Sequence, residues 1–172
     1  MTERMIRLRR AGLWCIAAAL ILTLCYIFGN SLQSQGESSD RSESLAQQVQ
    51  PILDPQQKVE PARFHHLLRK AAHGLEYALL GAELLVGAIL LDRRLLSRQI
   101  PTALLILLAS AVTDEFIQSF TGRGDQIQDI VLDFCGGVTG MLLSAAVCLL
   151  LYAFLFRRNA PPKPGKSAKK NG

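Results

Sequence analysis

The sequence predicts an all-α polytopic membrane protein: four transmembrane helices, with a short amphipathic helix in the extracytoplasmic loop between the first two. Three observations lead there. Hydrophobic residues make up 49% of the 172-residue chain and collect in four runs, each long enough to cross a hydrocarbon core of about 30 Å. Basic residues divide unequally between the two sides that four crossings define. Ionisable residues inside the runs cluster near their ends on one of those sides, although a charge at membrane depth costs roughly 2.5–3.5 kcal/mol on insertion scales.

The first run spans residues 11–28, with Trp14 and Tyr26 near its ends and a basic segment, residues 1–10, before it. It is too long for a signal-peptide core, and no small-x-small cleavage site follows Phe28. It reads as an uncleaved anchor. The stretch after it, residues 30–44, is rich in Ser, Gln and Glu and should be exposed and partly mobile. Asp40 with Glu43 forms a plausible capping pair, after which Leu45, Val49, Ile52 and Leu53 repeat at helical spacing until Pro51 and Pro55 end the element. Such a stripe suits the bundle's outer surface or the lipid interface. Pro61 is well placed in a first helical turn, and Phe64, Leu67, Leu68, Ala71 and Leu75 carry an apolar stripe into the second run, residues 71–91. The third run covers residues 100–118. A glycine-flanked turn, Thr121-Gly122-Arg123-Gly124-Asp125, leads to the fourth, residues 130–156, and a Pro- and Lys-rich tail, residues 159–172, should be disordered.

Thirteen Lys and Arg flank the runs on the side of both termini, against six on the other, so both termini are expected in the cytoplasm of a bacterial cell membrane. The formal net charge of +5 then reflects topology and headgroup contact. No groove-binding motif supports a nucleic-acid partner. Cys15, Cys25, Cys135 and Cys148 lie within the runs at spacings that match no zinc or disulfide framework, and are expected to be small packing residues.

The candidate site follows from helical spacing. Lys70, His73 and Tyr77 fall at i, i+3 and i+7, with Glu76 close to the same stripe. Asp114 and Gln118 are i, i+4 at the end of the third run with Glu115 beside them, and Asp129 and Asp133 repeat that spacing at the start of the fourth. Ser31, Gln33, Ser34 and Gln35, just past the first run, complete the level, and Arg123 lies in the adjoining turn. All sit within a turn or two of the outward ends, which predicts one polar pocket. Bland roles compete: Lys70 can snorkel, His73 can bond a neighbouring helix, Asp129 can cap its own. Glu83 falls near mid-membrane and needs a hydroxyl partner or a proton. Gly74, Ala78 and Ala82 on the second run, and Gly136, Gly140 and Ser144 on the fourth, form small-xxx-small ridges suited to close packing.

Taken in order, Phe28 to Gln35 with Ser31-Leu32-Gln33-Ser34, Lys70-Ala71-Ala72-His73-Gly74-Leu75-Glu76-Tyr77, Leu80-Gly81, Asp114-Glu115-Phe116-Ile117-Gln118, Arg123, Asp129, Asp133, Gly136 and Gly140 resemble the VanZ-like family of bacterial membrane proteins. Two departures stand out. Family members commonly carry Phe-Ser-Ser-Gln after the first span, and Asn is common at the place of Asp133. The resemblance implies a link to the cell envelope and to susceptibility to teicoplanin-type glycopeptides, an antibiotic-resistance phenotype rather than a reaction.

The leading expectation is a pocket for an anionic membrane lipid or lipid-linked envelope intermediate, lined by Ser31, Gln33, Lys70, His73, Tyr77, Asp114, Glu115, Gln118, Arg123, Asp129 and Asp133, with no cofactor or resident metal required. A second is a membrane hydrolase or transferase whose acid and base come from His73, Glu76, Asp114 and Glu115; its metal-assisted form would use His73, Glu76 and the carboxylates as ligands. A third is a purely structural helix bundle. The oligomeric state is left open.

Overall fold

The computed structural model describes residues 3–56, 58–92, 96–121 and 127–158. Within them the chain forms five α-helices and no strand: α1 (Glu3–Ser31), α2 (Gln35–Leu53), α3 (Pro61–Asp92), α4 (Leu96–Phe120) and α5 (Ile127–Arg158). Four of them, α1, α3, α4 and α5, are long and apolar enough to cross a membrane. The tail from residue 159, Arg123 and its flanking glycines, and Arg93 and Arg94 lie outside the described residues.

Each spanning helix runs past its apolar stretch. α3 is the clearest case, because Pro61 opens it and the Phe64 amide donates to the Glu60 carbonyl at 2.9 Å, so the amphipathic entry and the membrane span form one continuous rod. At the opposite end, the Arg9 guanidinium donates to the carbonyls of Leu90 (2.7 Å) and Leu91, satisfying acceptors that the last turn of α3 cannot bond internally.

The Ser/Gln-rich segment after the first run departs from expectation. Most of it is helical, since α1 continues to Ser31 and α2 starts at Gln35. Ser34 takes the N-cap position, so Asp40 lies inside α2 rather than capping it, while the helix ends at Leu53, between Pro51 and Pro55. Ala46 is buried while Leu45, Ile52 and Leu53 are exposed, which fits the lipid-interface alternative for that stripe. Ser42 Oγ and His65 Nε2, 2.6 Å apart, tie α2 to α3. The return is closed by Gln50 Nε2 donating to the Val59 carbonyl (3.0 Å) and the Val59 amide donating to Asp54 (2.8 Å).

α3 packs against all four other helices. Its neighbour α5 comes closest, and glycine is the reason. A Cβ added at Gly136 would lie 2.5 Å from the Gly74 carbonyl oxygen, and one at Gly140 or Gly81 would overlap the carbonyls of Ala78 or Gly137. The two ridges therefore meet as backbone on backbone, with Gly81 and Gly137 extending them. Below the contact sits a small apolar core containing Ile27, Tyr77, Leu80, Leu85, Ala103, Leu107, Ala111 and Met141. Large apolar side chains from Leu142 to Leu155 on α5 face outward, which suits lipid and not water. Cys15, Cys25 and Cys135 share that outer surface as free thiols, so they do not serve as packing residues.

Candidate functional site

The polar end of the bundle is where α1 and α4 finish and where the membrane-facing parts of α3 and α5 begin. Helical spacing places His73 one turn from Tyr77 and Asp129 one turn from Asp133. The glycine contact then does what spacing alone cannot: because Gly136 abuts Gly74, Asp133 one turn above Gly136 is drawn against His73 beside Gly74.

Asp114 is the most tightly held member. Ser31 Oγ donates to its Oδ1 and Gln118 Nε2 donates to its Oδ2 at 2.9 Å, so residues of α1 and α4 fix both oxygens. Gln118 Nε2 also lies 3.4 Å from Ser31 Oγ, and Thr121 Oγ1 reaches the Ser31 carbonyl at 3.2 Å. A donor atom of His73 and carboxylate oxygens of Asp114 and Asp133 all lie within 4.8 Å of one another.

The surroundings are dry. Relative exposure is 0% for Asp114, 2% for Asp133, 4% for Glu115 and 0% for Tyr77. Among the described residues, Asp133 Oδ1 and the Tyr77 hydroxyl are buried without a hydrogen-bond partner, and Tyr77 is within electrostatic range of Asp114, Asp133, Glu76 and Glu115. Three buried carboxylates in one chamber are costly as bare anions, by several kcal/mol each, so the arrangement calls for compensating positive charge or protons.

Cations stand at the rim. Lys70 Nζ donates to Asp129 Oδ1 at 2.8 Å, with both side chains about a quarter exposed. Lys70 is therefore an ion-pair partner more than a bare snorkelling ammonium, and Asp129 does more than cap α5. Beside them opens a cleft of about 350 Å³ between α1, α2 and α3, whose lining includes Asn30, Gln33, Ser42, Arg69, His73 and Glu76. Asn30 Nδ2 donates to Glu76 Oε1 at 3.2 Å across it. A second, very small recess, lined by Arg69, Lys70, His73, Gln118 and Asp129, lies on the other side of His73. His73 and Arg69 thus border both spaces.

Of the residues singled out from sequence, Ser31, His73, Tyr77, Asp114, Gln118 and Asp133 meet in or against the buried chamber. Lys70 and Asp129 pair at its rim, while Gln33 and Glu76 line the cleft. Glu115 is buried at the same level, and Arg123 lies outside the described residues. Sequence reasoning missed Asn30, Ser42 and Arg69 as members of the cleft. Asn30 directly precedes Ser31, which made it findable; Ser42 required knowing that α2 folds back onto α3. Glu83 stands apart in mid-bundle, where Thr23 Oγ1 donates to its Oε1 at 3.0 Å, the hydroxyl partner that its depth demanded.

Chemically, the chamber can hold a cation through one imidazole and two carboxylates, exchange protons, or accept hydrogen bonds from hydroxyl groups. No curated protein and no solved structure matches the chain. A family match covers residues 16–157, from the first span to the end of α5, and so takes in every element that builds the chamber: the chain belongs to the VanZ/LLP1 family.

Proposed function

We propose that this VanZ/LLP1-family membrane protein holds the anionic headgroup of a membrane lipid or lipid-linked envelope intermediate in an outward-facing polar site. The observation that carries the reading is the cleft beside His73: Arg69 supplies positive charge, Asn30, Gln33 and Ser42 supply neutral hydrogen-bonding groups, and the exposed apolar helix faces leave room for acyl or prenyl chains. The acidic chamber repels a bare phosphate, so the headgroup sits at the rim near Arg69 and Lys70, with Glu76 in the cleft wall accepting from sugar or glycerol hydroxyls. Sequestering or presenting such a lipid at the outer leaflet is a route to altered glycopeptide susceptibility.

Lipids retained after gentle detergent extraction, identified by mass spectrometry, test the reading. Enrichment of phosphatidylglycerol or polyprenyl phosphate over phosphatidylethanolamine, lost in Arg69→Ala and Lys70→Ala proteins that still fold, is expected. Retained lipid of bulk composition in wild type and variants alike would refute it.

A hydrolase or transferase is the second reading, favoured by one observation: His73 lies within 4.8 Å of two buried carboxylates, the spacing acid and base catalysis uses. Product release from a labelled polyprenyl phosphate or diphosphate lipid, abolished in folded His73→Gln protein, would select it over binding.

A further inference from the structure

We infer that His73, Asp114 and Asp133 form a binding site for a single divalent cation of the kind that accepts mixed imidazole and carboxylate ligands, such as Mn²⁺ or Zn²⁺. The three donors come from α3, α4 and α5 and lie within 4.8 Å of one another. Metal–ligand bonds of about 2.0–2.2 Å hold neighbouring donors about 3.0–3.5 Å apart. Small side-chain rotations therefore close the set, with no movement of helices.

Two features separate this cluster from an ordinary group of acids. Asp133 belongs to the cluster and is 2% exposed, and its Oδ1 has no hydrogen-bond partner among the described residues. Asp114, by contrast, is held by Ser31 Oγ and Gln118 Nε2, one on each oxygen, leaving lone pairs to point elsewhere. Fixing a carboxylate by hydroxyl and amide donors from behind is how ligand carboxylates are oriented at metal centres.

Charge completes the case. Of the cations at the rim, Lys70 is paired with Asp129, and Arg69 lines the cleft and the small recess beside His73. Among the described residues the chamber otherwise collects Asp114, Asp133 and Glu115, and the buried, unpartnered Tyr77 hydroxyl faces that field. One divalent ion offsets two of those charges at the point where α3, α4 and α5 meet. The inference stands whether or not the cleft takes a lipid headgroup. If it does, the ion sits next to the Arg69 rim and can bridge a phosphate oxygen, a contact the carboxylates alone would oppose.

The test uses full-length protein in detergent micelles, stripped with EDTA, dialysed, and titrated separately with Mn²⁺ and Zn²⁺. Loss of the aqueous Mn²⁺ electron paramagnetic resonance signal should give one bound ion per chain, with nitrogen coupling from an imidazole in the pulsed spectrum. His73→Gln should abolish that coupling, and Asp133→Asn and His73→Gln should each weaken binding about tenfold or more. Ser31→Ala, which touches only the ligand's support, should weaken it by about 10–100-fold while leaving the nitrogen coupling in place. Asp40→Asn, inside α2, is the control and should bind as wild type. Circular dichroism identifies any variant that has not folded, and the wild-type titration needs no variant. Absence of binding by wild type, or binding that survives His73→Gln with its nitrogen coupling intact, would overturn the inference. Protons rather than a metal would then neutralise the chamber, and the lipid reading would stand or fall on its own assay.

Discussion

Alanine at Gly136 should push α3 and α5 apart and loosen the polar end with them. The new Cβ would stand 2.5 Å from the Gly74 carbonyl oxygen, where a carbon–oxygen contact needs about 3.3–3.6 Å, so the helices must separate by about 1 Å. The obstacle is backbone, which cannot rotate away. Overpacking of this kind costs about 1–3 kcal/mol, and Gly140→Ala and Gly81→Ala should cost at least as much, because the carbonyls of Ala78 and Gly137 are closer still. Gly137→Ala should be milder, since its first obstacle is the Leu107 side chain at 2.6 Å, which has rotamers to use. Gly29→Ala meets nothing within 4 Å and should be neutral or stabilising by up to about 1 kcal/mol, because alanine suits a helix better. Reversible unfolding of purified protein by SDS titration, followed by circular dichroism, ranks the five. A flat series, or Gly136→Ala equal to Gly29→Ala, would refute the backbone-on-backbone account of the α3–α5 contact.

Other expectations follow from single contacts. Thr23→Val deletes the donor to Glu83 and should destabilise by about 1–3 kcal/mol, whereas Thr23→Val combined with Glu83→Leu should recover most of the loss; SDS unfolding of the two variants and Glu83→Leu completes the cycle. Ser42→Ala should free α2 from α3, raising hydrogen exchange across Gln35–Leu53 while the exchange of α3 to α5 stays as in wild type. Lys70→Met with Asp129→Leu, taken through a double-mutant cycle, should show a coupling near about 0.5–1 kcal/mol, as suits a partly exposed pair, and one that falls with added salt.

What the sequence made legible depended on periodicity and on the cost of burying charge. Four apolar runs sufficed to number the spans, and the positions of His73, Asp114, Gln118 and Asp133 near equivalent ends sufficed to place them at one level, since rise per residue fixes depth. Depth is one coordinate. Convergence needs the rotation of each helix, and that came through the glycine ridges: Gly74 against Gly136 and Ala78 against Gly140 were readable as small-residue spacing, and they orient Asp133 toward His73. The course of α2 was less legible. Its contact with α3 through Ser42 depends on a surface that α3 provides, so the local signal at Asp40 misplaced its start, while Pro51 and Pro55 bracket its end at Leu53. Cysteine placement failed for a related reason, because an apolar run in lipid has no outside that composition alone marks as polar, and thiols suit either face.

The central claim is that residues distant in sequence share one end of the bundle, and cysteine cross-linking measures it directly. In a chain with Cys15, Cys25, Cys135 and Cys148 replaced by alanine, cysteine pairs at Asn30 with Glu76 and at Lys70 with Asp129 replace partners whose side-chain tips lie 3.2 Å and 2.8 Å apart, a separation that the shorter cysteines span through a bifunctional thiol reagent rather than a direct disulfide. A short bifunctional thiol reagent applied to membranes should link both pairs, seen as joined peptides by mass spectrometry, while native Cys15 and Cys135 in the parent chain should stay unlinked. Efficient linkage of Cys15 to Cys135, or none at the two engineered pairs in folded protein, would contradict the shared chamber.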